Sequence, residues 1–132
     1  MKRKLLLFIC ALLACIASKA YDFASGDLLY NITDQEKHEV EVTFLEDDEG
    51  NVTYVSGDIT IPGKIVKDGV VYTVTGIGEG AFANCKNLTS VKITDNVKTI
   101  NNAAFANCEN LTSVKITDNV KTIKNAVFNN CI

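Results

Sequence analysis

The stretch Ile77–Thr99 reads IGEGAFANCKNLTSVKITDNVKT and is followed at once by Ile100–Thr122, INNAAFANCENLTSVKITDNVKT. Ile123–Ile132, IKNAVFNNCI, opens the same block a third time. The two full copies of twenty-three residues differ at four positions only: Gly78/Asn101, Glu79/Asn102, Gly80/Ala103 and Lys86/Glu109. A period in the twenties marks a solenoid. A unit that short is one supersecondary element and can bury its apolar face only against its neighbours. The repeat therefore predicts stacked rungs and an extended binding surface rather than an active-site cleft.

Within a copy, Val91 and Ile93 alternate with Ser90, Lys92 and Thr94, the period-two pattern of a half-buried strand. Leu88, Val91 and Ile93 form the inward set. Ser90, Lys92 and Thr94 point outward, matched one copy later by Ser113, Lys115 and Thr117. Asp95-Asn96 and Asp118-Asn119 are turn formers whose side chains can bond nearby backbone. Ala103-Ala104-Phe105-Ala106 predicts a short helical turn. Phe82, Phe105 and Phe128 share one phase and are expected to fill the core.

Leu88-x-x-Val91-x-Ile93-x-x-Asn96 and Leu111-x-x-Val114-x-Ile116-x-x-Asn119 fit the pattern of leucine-rich repeats. The longer phase I-G-x-x-A-F-x-x-C-x-x-L-T-x-V-x-I-x-x-x-V-x-x-I resembles the BspA-like leucine-rich repeat family from Ile77 to the end. One departure is that Thr94 and Thr117 stand where the family often has Pro after the strand. The resemblance implies a secreted or surface protein, of the kind found in mucosal bacteria and some protozoan parasites. It implies binding to host or microbial proteins, and adhesion, rather than catalysis. The fold expected is an α/β to mainly β leucine-rich-repeat solenoid with a parallel strand ladder and an N-terminal β-hairpin cap.

Residues 57–76 read as a degenerate rung. Ile59-Thr60-Ile61-Pro62-Gly63-Lys64-Ile65 aligns with Val91–Val97, and Val74–Ile77 aligns with Val97–Ile100. The insertion between them carries Asp68-Gly69 flanked by apolar residues, a strong hairpin signal. Residues 21–56 supply the β-rich cap, because a solenoid needs an atypical terminal unit over its first core face. Leu28–Ile32 and Glu39–Leu45 alternate as strands. Val40, Val42 and Phe44 face one way; Glu39, Glu41 and Thr43 face the other. Asp48–Asn51 turns and Val52–Val55 returns. The division is thus 57–132 for the repeats, with 57–76 degenerate, 77–99 and 100–122 complete, and 123–132 partial.

Residues 1–20 read as a signal peptide. Lys2, Arg3 and Lys4 precede the apolar run Leu5–Ile16, and Ser18-Lys19-Ala20 suits cleavage before Tyr21. The run is too short to favour a spanning helix. Lipidation at Cys15 ranks below simple secretion, since Leu13 suits a lipobox poorly. Removal of these residues takes away four of thirteen basic residues and none of sixteen acids, so the net charge goes from −3 to −7. That argues against nucleic acid, whose phosphates demand cationic neutralisation. The charge is uneven: Tyr21–Gly76 holds twelve acids against three lysines, and Ile77–Ile132 four acids against six lysines.

Cys85, Cys108 and Cys131 recur at one phase, one per copy. Strict periodicity and an odd count favour small buried thiols stacked in the core over a disulfide framework. Metal ranks lower, for there is no Cys-x-x-Cys and His38 is the single histidine. Glu46–Glu49 lacks the spacing of a calcium loop and reads as a solvated turn. Asn31, Asn51, Asn87 and Asn110 each begin an Asn-x-Thr sequon, two of them copies of one event. Gly76-Ile-Gly-Glu-Gly80 lacks the spacing of a phosphate loop, and no Ser-His-Asp set exists. No catalytic residue, cofactor or metal is therefore expected.

The expected function is a secreted or cell-surface recognition module, exported through its signal peptide, that binds a protein partner. The expected site is the outward ladder Ser90, Lys92, Thr94, Ser113, Lys115 and Thr117. That face carries no aromatic residue to stack on a sugar, so carbohydrate ranks low there. The rival is a structural fragment of a longer array, or self-association through the edge strand Leu111–Ile116.

Overall fold

The computed structural model describes residues 21–46, 49 and 52–131. Twelve strands follow in order: β1 Phe23–Ser25, β2 Leu28–Asp34, β3 Glu39–Thr43, β4 Leu45–Glu46, β5 Val52–Thr53 and β6 Gly57–Thr60. Then come β7 Lys64–Lys67, β8 Val70–Ile77, β9 Leu88–Lys92, β10 Thr99–Ile100, β11 Ser113–Lys115 and β12 Thr122–Ile123. No helix occurs among the described residues. The expected leader, and the acidic pair Asp47-Asp48, lie outside them.

Each rung has three sides. The first is a strand in the parallel sheet β6-β9-β11, with Ile59, Val91 and Val114 in direct register. The second is a strand in the row β8-β10-β12, also parallel, with Ile77, Ile100 and Ile123 in register. Both alignments drawn from the sequence between residues 57–77 and the first full copy are reproduced. The β7–β8 hairpin turns at Asp68-Gly69, where both residues have positive φ (52° and 81°). That is the signature of a two-residue type I′ loop.

The third side corrects an expectation. Ala103–Ala106 is not a helical turn, and the α component of the fold is absent among the described residues. Here the chain makes successive tight turns, as in Ala81 N–H to Gly78 O (3.1 Å), Ala83 N–H to Gly80 O (3.0 Å) and Cys85 N–H to Phe82 O (3.1 Å). Gly80, Ala103 and Ala126 share one phase and stand at φ 64°, 56° and 55°. Four residues on, Asn84, Asn107 and Asn130 stand at 63°, 60° and 60°. A left-handed residue every fourth position forbids a helix. The turns stack rung on rung instead, through Phe82 N–H to Ala104 O (2.8 Å) and Phe105 N–H to Val127 O (2.9 Å).

The core runs through the rungs. Leu88, Val91, Ile93, Val97 and Ile100 are buried, as the inward set requires. Phe82 and Phe105 stack with centroids 5.3 Å apart, and Phe105 and Phe128 with centroids 5.6 Å apart. Phe82 and Phe105 are buried, whereas Phe128 is 39% exposed, and Ile116 and Ile123 of the same final rungs are 38% and 49% exposed.

The N-terminal strands join the second side. β1, β2 and β3 pair antiparallel in turn, and β3 then pairs parallel with β8. Val40 and Val42 are buried, as read from the alternation. Thr43 is not outward: it is buried, sharing a crevice with Phe44, Val55, Ala81, Phe82 and Cys85. The alternation fails there because β3 ends over the first turn of the repeats, so both faces of the chain are covered.

Docking of β3 explains a difference between the copies. Gly78 N–H donates to Val42 O at 2.7 Å. A Cβ at Gly78 would stand 2.8 Å from Val42 O and 3.0 Å from the Glu41 carboxylate. One rung later no described strand passes, and Asn101 donates its Nδ2 to Ile77 O at 3.0 Å.

Candidate protein-binding strand face

The outward side of β6-β9-β11 is built by parallel register alone. Successive residues of a strand point to opposite faces, and neighbouring strands lie about 4.8 Å apart. Asp58, Ser90 and Ser113 therefore form one row, and Thr60, Lys92 and Lys115 a second. Lys92, Ser113 and Lys115 are exposed and Ser90 is half-buried. The Asp58 carboxylate accepts from Ser90 Oγ at 2.7 Å and Thr89 Oγ1 at 2.8 Å. These two donors, Ser90 first, hold its pKa below the usual carboxylate range.

Beyond the strand ends, Lys92, Thr94 and Asp95 of one rung face Lys115, Thr117 and Asp118 of the next across a groove of about 720 Å³. The threonines behave unlike the lysines. Thr94 opens a turn closed by Val97 N–H to Thr94 O (3.2 Å). Its hydroxyl is sealed from solvent without a hydrogen-bond partner, and a Cβ on Gly63 of the preceding rung would lie 3.6 Å from it. Thr94 thus lines the groove while its hydroxyl is shielded from solvent. Thr117 is half-buried and accepts from Asn119 N–H at 3.3 Å. Ser90, Lys92, Ser113 and Lys115 stand on the strands themselves.

Asp58 and Thr60 belong to the same face and were not in the expected site. The alignment of Ile59-Thr60-Ile61 with Val91-Lys92-Ile93 already contained Thr60, and Asp58 stands one residue before its start. Neither Lys92 nor Lys115 makes an ion pair among the described residues; the pair that does form is Lys86–Glu109, at 3.6 Å. It sits at one of the four positions where the copies differ, so the substitution set opposite charges on adjacent rungs.

The cysteines are free thiols. Cys108 Sγ donates to Phe82 O and Cys131 Sγ to Phe105 O, each at 3.0 Å, so each bonds the turn of the rung before. No group of three or more His, Cys, Asp or Glu side chains gathers as for a metal among the described residues. No described helix is long and apolar enough to cross a membrane.

The fold has solved counterparts. A leucine-rich repeat protein from Bacteroides ovatus is 31% identical, with a TM-score of 0.72 over 84% of this chain and 27% of that one. A leucine rich cell surface protein from Faecalibacterium prausnitzii is 29% identical, with a TM-score of 0.59 over 78% of this chain and 26% of its own. A leucine rich repeat protein from T. pallidum is 20% identical, with a TM-score of 0.64 over 83% of this chain and 45% of its own. The chain therefore spans about a quarter of the first two and under half of the third. No curated protein matches it. Residues 69–132 match the family described as BspA type leucine rich repeat region (6 copies). The repeats of residues 69–132 thus belong to the BspA-type leucine-rich repeat family.

Proposed function

We propose that the chain is a secreted or cell-surface module whose rungs form a solenoid and whose strand face binds a protein on a host or microbial surface. Leucine-rich repeat regions are in general protein-interaction modules without catalysis, and one similar structure is described as a cell surface protein. In this reading residues 1–20 export the chain, 21–56 cap it and 57–132 carry the recognition surface. The observation that carries the proposal is the in-register row of Lys92 and Lys115 beside Ser90 and Ser113, held on a three-stranded sheet, the two lysines lacking ion-pair partners among the described residues.

The test is adhesion of protein-coated beads to epithelial cells and to bacterial cells, before and after trypsin treatment of those cells. Binding should be lost on trypsin treatment. The Lys92→Glu/Lys115→Glu variant should bind roughly tenfold less, as two reversed interface charges predict. Undiminished binding by that variant removes the strand face as the site.

A second reading is favoured by exposed Ile116, Ile123 and Phe128, apolar side chains at phases buried in earlier rungs. They would seat another copy's rung through the edge strand β11. Light scattering decides: a monomer at high concentration counts against it.

A further inference from the structure

A groove of about 550 Å³ opens at the entry end of β6 and β9, where Tyr54, Val55 and Ser56 face Asn84, Lys86 and Asn87. The Lys92–Lys115 groove lies beyond the exit ends of the same sheet, so the two are separate. Tyr54 is 51% exposed, a large ring left open to solvent.

The amides of this groove are the open ends of two stacked series. Asn130 Nδ2 donates to Asn107 Oδ1, and Asn107 Nδ2 donates to Asn84 Oδ1, each at 2.9 Å. Asn110 Nδ2 donates to the Lys86 backbone carbonyl at 2.7 Å. That carbonyl can only accept, which fixes the orientation of the Asn110 amide. Each of these three amides therefore points its donor at an amide-type oxygen of the rung before. Asn84 and Asn87 occupy the first place in each series and make no such bond among the described residues. Where a preceding rung would put its two amide-type oxygens, the chain instead runs through Tyr54–Ser56 and leaves the groove.

We infer that this groove binds an N-acetylated hexosamine of a glycan. The ligand must bring acceptors, and the acceptor that the repeat itself uses here is an amide carbonyl, which the acetamido group of such a sugar reproduces. The Lys86 ammonium and Ser56 hydroxyl supply further donors for ring hydroxyls. The exposed Tyr54 ring offers a large apolar face on which the C–H face of a pyranose can lie, and burial of such a ring is a main source of binding energy at interfaces. Few convergent polar groups around an apolar platform are what fix orientation in small-molecule sites. The low rank of carbohydrate on the strand ladder stands, since the aromatic residue lies elsewhere.

The experiment is saturation-transfer NMR on the full chain with N,N′-diacetylchitobiose, and with cellobiose as the matched disaccharide lacking acetamido groups. Transfer is expected to the acetamido methyl and ring protons of diacetylchitobiose and to be weak for cellobiose. Tyr54→Ala should lower the affinity about tenfold, the size of one lost stacking contact, and Tyr54→Phe should leave it unchanged. Asn84→Asp keeps the acceptor for Asn107 but removes the donor, and should lower affinity without disturbing the fold. The inference is overturned by absence of transfer from diacetylchitobiose, by equal transfer to cellobiose, or by full affinity in both Tyr54→Ala and Asn84→Asp.

Discussion

At the scale of the residue, the cysteines show how one position serves the stack. A buried thiol avoids ionisation because its thiolate would lose hydration, so burial pushes the Cys108 pKa up to about 12, and Cys85 is raised by the same cause. The reactive species is the thiolate. With the folded protein at pH 8, a thiol reagent followed by peptide mapping should leave Cys85 and Cys108 unmodified while half-buried Cys131 reacts first. In denaturant all should react. Rapid labelling of Cys108 in the folded state would refute the stacked arrangement. The linkage sign follows from the raised pKa. Stability from the protonated thiol is complete below the ordinary value near 9 and is lost as pH climbs toward 12. Tyr30, buried without a partner for its hydroxyl and also raised to about 12, adds a loss beginning above 10. Melting followed by circular dichroism should hold level to about pH 9 and then fall.

At the scale of the element, pairing of β3 with β8 rests on an absent side chain. Gly78→Asn installs the residue that the next copy carries at the same phase, yet its Cβ would meet Val42 O at 2.8 Å. Overpacking of that kind costs about 1–3 kcal/mol. The reverse change, Asn101→Gly, forfeits one amide hydrogen bond and costs about 1 kcal/mol. Urea denaturation of the two variants checks the order; an equal or smaller loss for Gly78→Asn would mean that β3 does not dock there. The same site marks how far the sequence could be read. The hairpin at Asp68-Gly69, and the registers of Ile59 with Val91 and of Ile77 with Ile100, followed from turn chemistry and alignment, all local signals. Gly78 differed visibly from Asn101, but its cause is a strand thirty-six positions earlier, which no local pattern contains. The turns on the third side were misread as helical because Ala is the best helix former, and nothing in an alanine announces a left-handed conformation at Ala103. Thr94 alternates with Lys92 in the sequence, yet its hydroxyl is shielded from solvent, because the strand ends at Lys92 and a turn begins.

At the scale of the whole molecule, the proposed solenoid would set each rung against its neighbours alone, so its core is expected to behave as a line of interfaces rather than a sphere. The phenylalanine series makes this measurable. Phe105 is stacked on both sides, with Phe82 at 5.3 Å and Phe128 at 5.6 Å, and has no exposed surface. Phe128 has one stacking neighbour among the described residues and is 39% exposed. Phe105→Ala should therefore cost about 3–5 kcal/mol, as for a fully buried aromatic residue. A domain of this size holds about 5–15 kcal/mol in all, so the variant approaches unfolding. Phe128→Ala removes fewer contacts and leaves no closed cavity, and should cost less than half as much. Urea curves for the two variants, taken at a fixed temperature with hydrogen exchange as a second readout, separate line from sphere. In a line, Phe105→Ala lowers protection of amides on both adjoining rungs, while Phe128→Ala lowers it only in the last. Equal free-energy losses, or a uniform drop in protection from either change, would show that the stack folds as one indivisible core.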